Sequence, residues 1–444
     1  MSLLTRNPAP GGGCGRGETL PWQSLTTIRR SWVVGAFVAS AVFAGAVSLF
    51  STDALHRLWG IMAACGYVAA ALAVMAWRSR GTDLALVVSL CGALIVPLAW
   101  MAFAGQGQPE VAVISRSAEM LVHHGTPYQP SAVLRGTRDP NAYDPYLPAM
   151  TAFGLLWAVA GHDPLTDPRL WFGLFFVIVF ALALRVAMAT DVARWTVFVT
   201  ASPIIAFELT VGGTDVPIIA LLCLGFALLW RHPQPVLAGL AFGGAAAMKA
   251  TAWPAIVVAA AMLLTRDGKR PAAIMTAASL AVVAVLVGPF AALGPGSLVK
   301  NTILFPLGLA SVTSQAVSPL PGHLIAQTGH AGRLFIIALL VATAVGVLAS
   351  LIIRPPRHVP AAAVRLIVAM TLMFLLAPAT RFGYFIYPGG ILAWLIVSAF
   401  GQRARQAAGD AALPSLRDRQ PAPDGTSAIT AFLRERIGAA RPGR

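Results

Sequence analysis

Apolar residues fall into long runs with short polar punctuation along almost the whole chain. Runs of this length, nearly free of charge, read as membrane-spanning helices rather than as faces of soluble ones. The candidate spans are Trp32–Phe50, Leu58–Trp77, Leu84–Ala104, Arg169–Ala189, Trp195–Val211, Val216–Trp230, Val236–Met248, Trp253–Leu264, Pro271–Ala292, Leu334–Ile353, Ala361–Ala379 and Tyr384–Phe400. A further apolar stretch, Tyr146–Gly161, reads either as a span or as a helix lying along the interface. The pattern predicts an all-α polytopic membrane protein of about twelve transmembrane helices, since helices satisfy their own backbone in lipid.

Two segments break the pattern. Residues 105–168 and 293–333 are polar, proline-rich and long, in a chain whose other loops are a few residues each. Loops of this size are where function concentrates. Charge sorts the sides of the membrane. If Tyr146–Gly161 does not span and the N-terminus is inside, the cytoplasmic loops carry Arg78 and Arg80, Arg194, Arg231, Arg266, Lys269 and Arg270, Arg354, Arg357 and Arg365. That is a positive-inside pattern with both termini cytoplasmic. If Tyr146–Gly161 spans, Arg194 and Arg231 move outside.

The block Val236–Leu264 decides between the two. As one helix it would be roughly 43 Å long, against a hydrocarbon core of about 30 Å. Lys249 would also sit near its middle, at a cost of about 2.5–3.5 kcal/mol on insertion scales. Splitting it at Lys249 places that lysine at the outer end and Pro254 in the first turn of the returning helix, where proline is tolerated. Two short halves meeting outside imply a water-filled hollow in the outer face.

Composition refines this frame. The chain is 57% apolar and only 11% charged, which leaves no room for a large soluble domain. The tails, residues 1–31 and 401–444, are basic and rich in Gly, Pro and Ala, and read as disordered, with a short amphipathic pattern at Thr426–Ala440. The net charge of +15 reports cytoplasmic loops and anionic headgroups, not nucleic acid. Trp32–Phe50 resembles a signal peptide but follows a long N-region and precedes many spans, so it reads as an uncleaved first helix. Cys14, Cys65, Cys91 and Cys223 lie in a tail or in spans, which predicts no disulfide and no cysteine metal site. His123 and His124 are adjacent and point about 100° apart on a helix, poor geometry for a metal. No nucleotide-binding loop is present, no metal-ligand spacing stands out, and no organic cofactor is expected.

Candidate chemistry gathers on the outer face. Gln108-Pro109-Glu110 opens a surface helix through "VAVISRSAEMLVHH", Val111 to His124, which Gly125-Thr126-Pro127-Tyr128 ends. Tyr143 and Tyr146 suit the interface. Glu208, Asp215, Lys249 and Arg381 are charges at or within membrane helices, costly and therefore site candidates, with Arg169 and Lys300 also outside. Mutual pairing of Lys249 with Glu208 or Asp215 is the plain structural alternative. External cations suit a phosphate or pyrophosphate headgroup, and a carboxylate can take a hydroxyl proton.

Glu110, then Gly125-Thr126-Pro127-Tyr128, then Tyr143-Asp144-Pro145-Tyr146-Leu147-Pro148 resemble the first external loop of glycosyltransferase family 87, membrane enzymes of GT-C type. "SPIIAFELTVGGTDVPIIALL" (Ser202–Leu222) and "VLAGLAFGGAAAMKATAWPAI" (Val236–Ile256) resemble the family's glycine-rich span junction and its Gly-x-x-x-Gly block leading to a lysine. The resemblance covers residues 84–400, so residues 32–83 read as two additional N-terminal helices. It implies a GT-C-like fold with interfacial helices in the first external loop. It also implies a transferase moving mannose or arabinofuranose from a polyprenyl-phosphate donor to a cell-envelope glycolipid or glycan acceptor, outside the cytoplasmic membrane. The catalytic carboxylate then maps to Glu110, where the family usually has Asp. Lys249, Arg381 and Arg169 are the expected donor-phosphate ligands. Tyr128, Tyr143, Asp144, Tyr146, Asp215 and His323 are the expected substrate contacts; Ser314-Gln315 stands where the family often shows an Asn-Gln-Ser motif. The alternative is a transporter or flippase for a lipid-linked or polar solute, with Glu208, Asp215 and Lys249 as coupling groups.

Overall fold

The computed structural model of the chain describes residues 30–77, 80–312 and 314–417, with side chains of the last helix described to Gln402. Cys14, Arg78, the N-terminal tail before Arg30 and the stretch Thr426–Ala440 lie outside the described residues. Among those described the chain is helical, and its only β feature is an isolated parallel bridge between Val317 and Thr380.

Among the described residues eight helices are long and apolar enough to cross a membrane, and nine if the pair Val192–Thr200 and Pro203–Val211, bent by 58°, counts as one span. That bend falls inside the expected span Trp195–Val211, at Ala201 and Ser202, just before Pro203 starts the next helix. The other three expected spans are the shorter helices Val216–Leu228, Pro235–Met248 and Ala250–Arg266. Hydropathy cannot separate apolar residues that meet lipid from those that meet protein. Almost every residue of Val216–Leu228 is buried against other helices, whereas Arg30–Phe50 and His330–Ile353 sit at the perimeter with 11% of their spans buried. Pro148–Ala160 is also short, roughly 20 Å of helix, too little to cross a core of about 30 Å alone. The last helix runs on to Arg417, beyond the Phe400 limit set by hydropathy.

The block around Lys249 does split. Pro235–Met248 ends at Lys249, whose extended backbone (φ −158°, ψ 140°) breaks the helix, and Pro254 enters the first turn of the returning one. Small residues bring helices into backbone contact: a Cβ on Gly239 or Gly243 would lie 2.5 and 2.7 Å from carbonyl oxygens of Met275 and Ser279 in the helix Lys269–Leu293. Close approach through glycine is how membrane helices gain packing without a hydrophobic driving force between them.

The first loop is built as the polar punctuation implies. Pro109 starts the helix Pro109–His124, and Gly125 ends it in the left-handed conformation (φ 71°) that glycine adopts without strain. This loop helix rests on Pro148–Ala160, where Gly154 leaves no room for a side chain: a Cβ there would be 2.6 Å from the Ile114 carbonyl oxygen. Tyr128, buried under the loop, donates its hydroxyl to the Tyr146 carbonyl at 2.8 Å, which ties the two halves of the loop together.

A cavity shared by one carboxylate and two cations

Three segments far apart in sequence bring charged side chains to one cavity of about 410 Å³: the start of the loop helix, the break at Lys249, and the stretch Arg381–Tyr384 that opens the last helix. Glu110, Tyr143, Tyr146, Lys249, Arg381 and Tyr384 face it. Arg381 donates from Nη1 to Oε1 of Glu110. The other carboxylate oxygen, Oε2, is buried without a hydrogen-bond partner. A buried, unpaired carboxylate oxygen is costly, and a ligand hydroxyl is one way to relieve it.

Lys249 is held from behind. Its Nζ donates to Oδ1 of Asp215 at 2.6 Å, and the Tyr387 hydroxyl donates to the same oxygen at 2.9 Å. The Tyr384 ring centroid lies 4.9 Å from Nζ and that of Tyr146 5.3 Å, so aromatic faces surround the ammonium. Asp215 is 1% exposed and absent from the cavity wall, so it orients and neutralises the lysine rather than meeting a ligand. A Cβ on Gly383 would come within 2.9 Å of the Glu208 carboxylate, which places Glu208 directly behind the Arg381 segment.

Several expected contacts are elsewhere. Arg169 is 1% exposed, and its guanidinium is spent on Asp167 (2.7 and 3.0 Å) and on the Thr210 carbonyl (2.8 Å). It joins two helix ends and is not on the cavity wall, so no geometry favours it as a phosphate ligand. Asp144 is buried beneath the cavity, where it accepts from the Ser117 hydroxyl at 2.6 Å and the Tyr146 amide at 2.9 Å. It organises the loop instead of lining the cavity. Tyr128 is likewise buried under the loop. Tyr143 lines the wall stacked on Phe305 at 4.6 Å, and its hydroxyl donates to the Leu134 carbonyl. His323 lines a smaller neighbouring cavity of about 190 Å³, with Nδ1 on the Pro378 carbonyl at 2.8 Å and Nε2 on the Gln327 amide. The two cavities share Ser314, Ala316, Pro378 and Ala379 as a common wall.

Burial pushes the Asp144 carboxyl up from 3.8 to about 6, against the opposing pull of the Ser117 hydroxyl, the Tyr146 amide and Arg116. An acid whose folded-state value is raised favours the fold while it is protonated, and that contribution is lost as pH rises through the raised value. Wild-type protein in detergent is therefore expected to gain thermal stability relative to Asp144→Asn as pH falls from above about 6 to about 4. The readout is the difference in Tm between the two proteins across that window.

Tyr384 and Tyr387 were not singled out by sequence reasoning. Their signal was available: both follow Arg381 within six residues, in "TRFGYFIY". Among the described residues no group of three or more metal-ligating side chains is brought together.

The model of "Glycosyltransferase family 87" matches residues 146–378, about half of the chain. The match includes Asp215 and Lys249 and begins after Glu110. No curated protein sequence matches. A solved structure that the chain resembles is ArnT from Cupriavidus metallidurans in the apo state, at 19% identity and a TM-score of 0.44. The likeness covers 72% of this chain and 60% of that one.

Proposed function

The chain belongs to glycosyltransferase family 87, and from that premise we propose that it moves a sugar, mannose or arabinofuranose, from a polyprenyl-phosphate donor to a hydroxyl of a cell-envelope glycolipid or glycan. Membership in a glycosyltransferase family sets aside the transporter reading of Glu208, Asp215 and Lys249. The observation that carries the proposal is the cavity in which one carboxylate, two cations and a set of tyrosines meet. Positive-inside sorting of the loops supports an active site on the outer face and both termini in the cytoplasm.

The chemistry follows from the groups present. Glu110 takes the proton of the acceptor hydroxyl as that oxygen attacks the anomeric carbon. The bond from the anomeric carbon to the phosphate oxygen breaks, and its electron pair leaves with polyprenyl phosphate. Lys249 and Arg381 meet the negative charge that grows on the phosphate. A sugar phosphate is already a good leaving group, so one carboxylate suffices where glycoside hydrolysis needs two. A single displacement inverts the anomeric centre. Tyr146 and Tyr384 offer flat faces to the sugar.

The ion pair between Arg381 and Glu110 gives this sequence an order. A donor phosphate draws the guanidinium from the carboxylate, which frees Glu110 to act as base only when the donor is in place. The test is to incubate the purified full chain with a panel of polyprenyl-phosphate sugars and lipid acceptors. Release of polyprenyl phosphate in step with glycosylated product is expected for at least one donor. Release with none of them, by protein that is folded, would overturn the assignment.

A further inference from the structure

The two N-terminal helices lie outside the residues matched by the family model, yet their outer end reaches the segment that carries Glu110. We propose that His56, in the first turn of the helix Ala54–Ala76, is a positioning residue that sets Glu110 by latching Gln108. The latch is a chain of hydrogen bonds. Gln108 Nε2 lies 2.6 Å from His56 Nε2, so the amide donates and the imidazole accepts. The imidazole then carries its hydrogen on Nδ1, which faces Ser51 Oγ at 3.1 Å. Ser51 Oγ in turn accepts from the Asp53 amide at 3.2 Å.

The imidazole is also fixed in orientation. Phe207 packs against it edge to face with centroids 4.9 Å apart, and Trp59 packs on the same phenyl ring at 4.7 Å. On the opposite side, the Gln108 backbone N–H donates to the Val211 carbonyl at 2.8 Å. A Cβ on Gly212 would come within 3.0 Å of the Gln108 side-chain oxygen. Arg169 completes the clamp: its guanidinium packs against Gly107, 3.4 Å from an added Cβ, while bonding the Thr210 carbonyl at 2.8 Å. Gln108 is the N-cap of the loop helix, and Glu110 is two residues further on in its first turn. Whatever fixes Gln108 therefore fixes where the Glu110 carboxylate enters the cavity. Misplacement of a reacting group by about 1 Å costs on the order of a hundredfold in rate.

His56 touches neither the cavity nor a reacting atom, so its effect should fall on turnover and not on donor binding. This rests on Glu110 being the base, and the experiment keeps the two claims apart. His56→Ala, Gln108→Ala, the double variant and His56→Gln are assayed with the full chain, beside Glu110→Gln. His56→Ala and Gln108→Ala are each expected to lower kcat by about ten- to a hundredfold with donor KM within about twofold. The double variant should be no worse than either single one, since both cut the same link. His56→Gln supplies another acceptor and should restore most of the rate, which a role in packing alone would not. Hydrogen exchange gives a readout free of activity: amides in Pro109–Ile114 should exchange faster in His56→Ala and at the wild-type rate in His56→Gln. Full kcat in His56→Ala, multiplicative losses in the double variant, or unchanged exchange would each overturn the latch. An active Glu110→Gln would instead overturn the catalytic reading while leaving the exchange result to stand.

Discussion

Glu110→Gln is expected to lower sugar transfer by about 10²–10⁴-fold while the protein folds and binds donor, because the substitution keeps shape and removes only the base. The pair that it breaks is partly solvated, with Glu110 21% and Arg381 25% exposed in their side chains. Loss of such a pair costs little stability, since solvent screens the remaining charge. Arg381, released from its carboxylate, should hold the donor phosphate at least as well as before. Donor titration by intrinsic fluorescence and transfer by radiolabelled product separate the two effects. Equal loss of binding and turnover would mean that Glu110 holds the fold or the donor and is not the base.

The second large effect is at Lys249, and it has two parts. Asp215 is 2% exposed in its side chain, and Lys249 is its ion-pair partner at 2.6 Å. Lys249→Met leaves that carboxylate buried without its counter-charge, a situation that costs about 3–5 kcal/mol. The single variant should therefore express poorly or lose several degrees in Tm. Lys249→Met combined with Asp215→Asn removes both charges and should recover most of the stability, while donor use stays impaired. Thermal unfolding of the single and double variants in detergent reads the first part, and donor dependence of transfer in the double variant reads the second. If the double variant recovered donor use together with stability, Lys249 would be a structural ion only.

Much of this architecture could be read from the order of apolar and polar residues. Each expected span coincides with a helix or a bent helix pair, and the break at Lys249 follows from a length and a charge that one helix cannot carry. The number of spans was less legible. Val216–Leu228 is as apolar as a lipid-facing helix, but protein surrounds it, and hydropathy treats the two surroundings alike. Residue roles divided on the same ground. Lys249 and Arg381 could be nominated because charges in apolar surroundings need a reason, and Glu110 only through the resemblance of the first external loop to a known family. Their arrangement could not, since Arg381 and Glu110 are 271 residues apart and no local pattern links them. Arg169 shows the converse. Asp167, two residues before it, caps the same helix and takes its guanidinium, a local pairing that the sequence displays and that removes it from the donor site. His56 belongs to the part that only the fold reveals, because Gln108 approaches it across 52 residues.

The most direct test of the shared cavity is a cryo-electron microscopy structure of the full chain with polyprenyl phosphate bound. The phosphate is expected between Lys249 and Arg381, with the Arg381 guanidinium turned from Glu110 onto it. A phosphate bound away from these two cations, or an Arg381 still paired with Glu110 while the lipid is in place, would contradict the account.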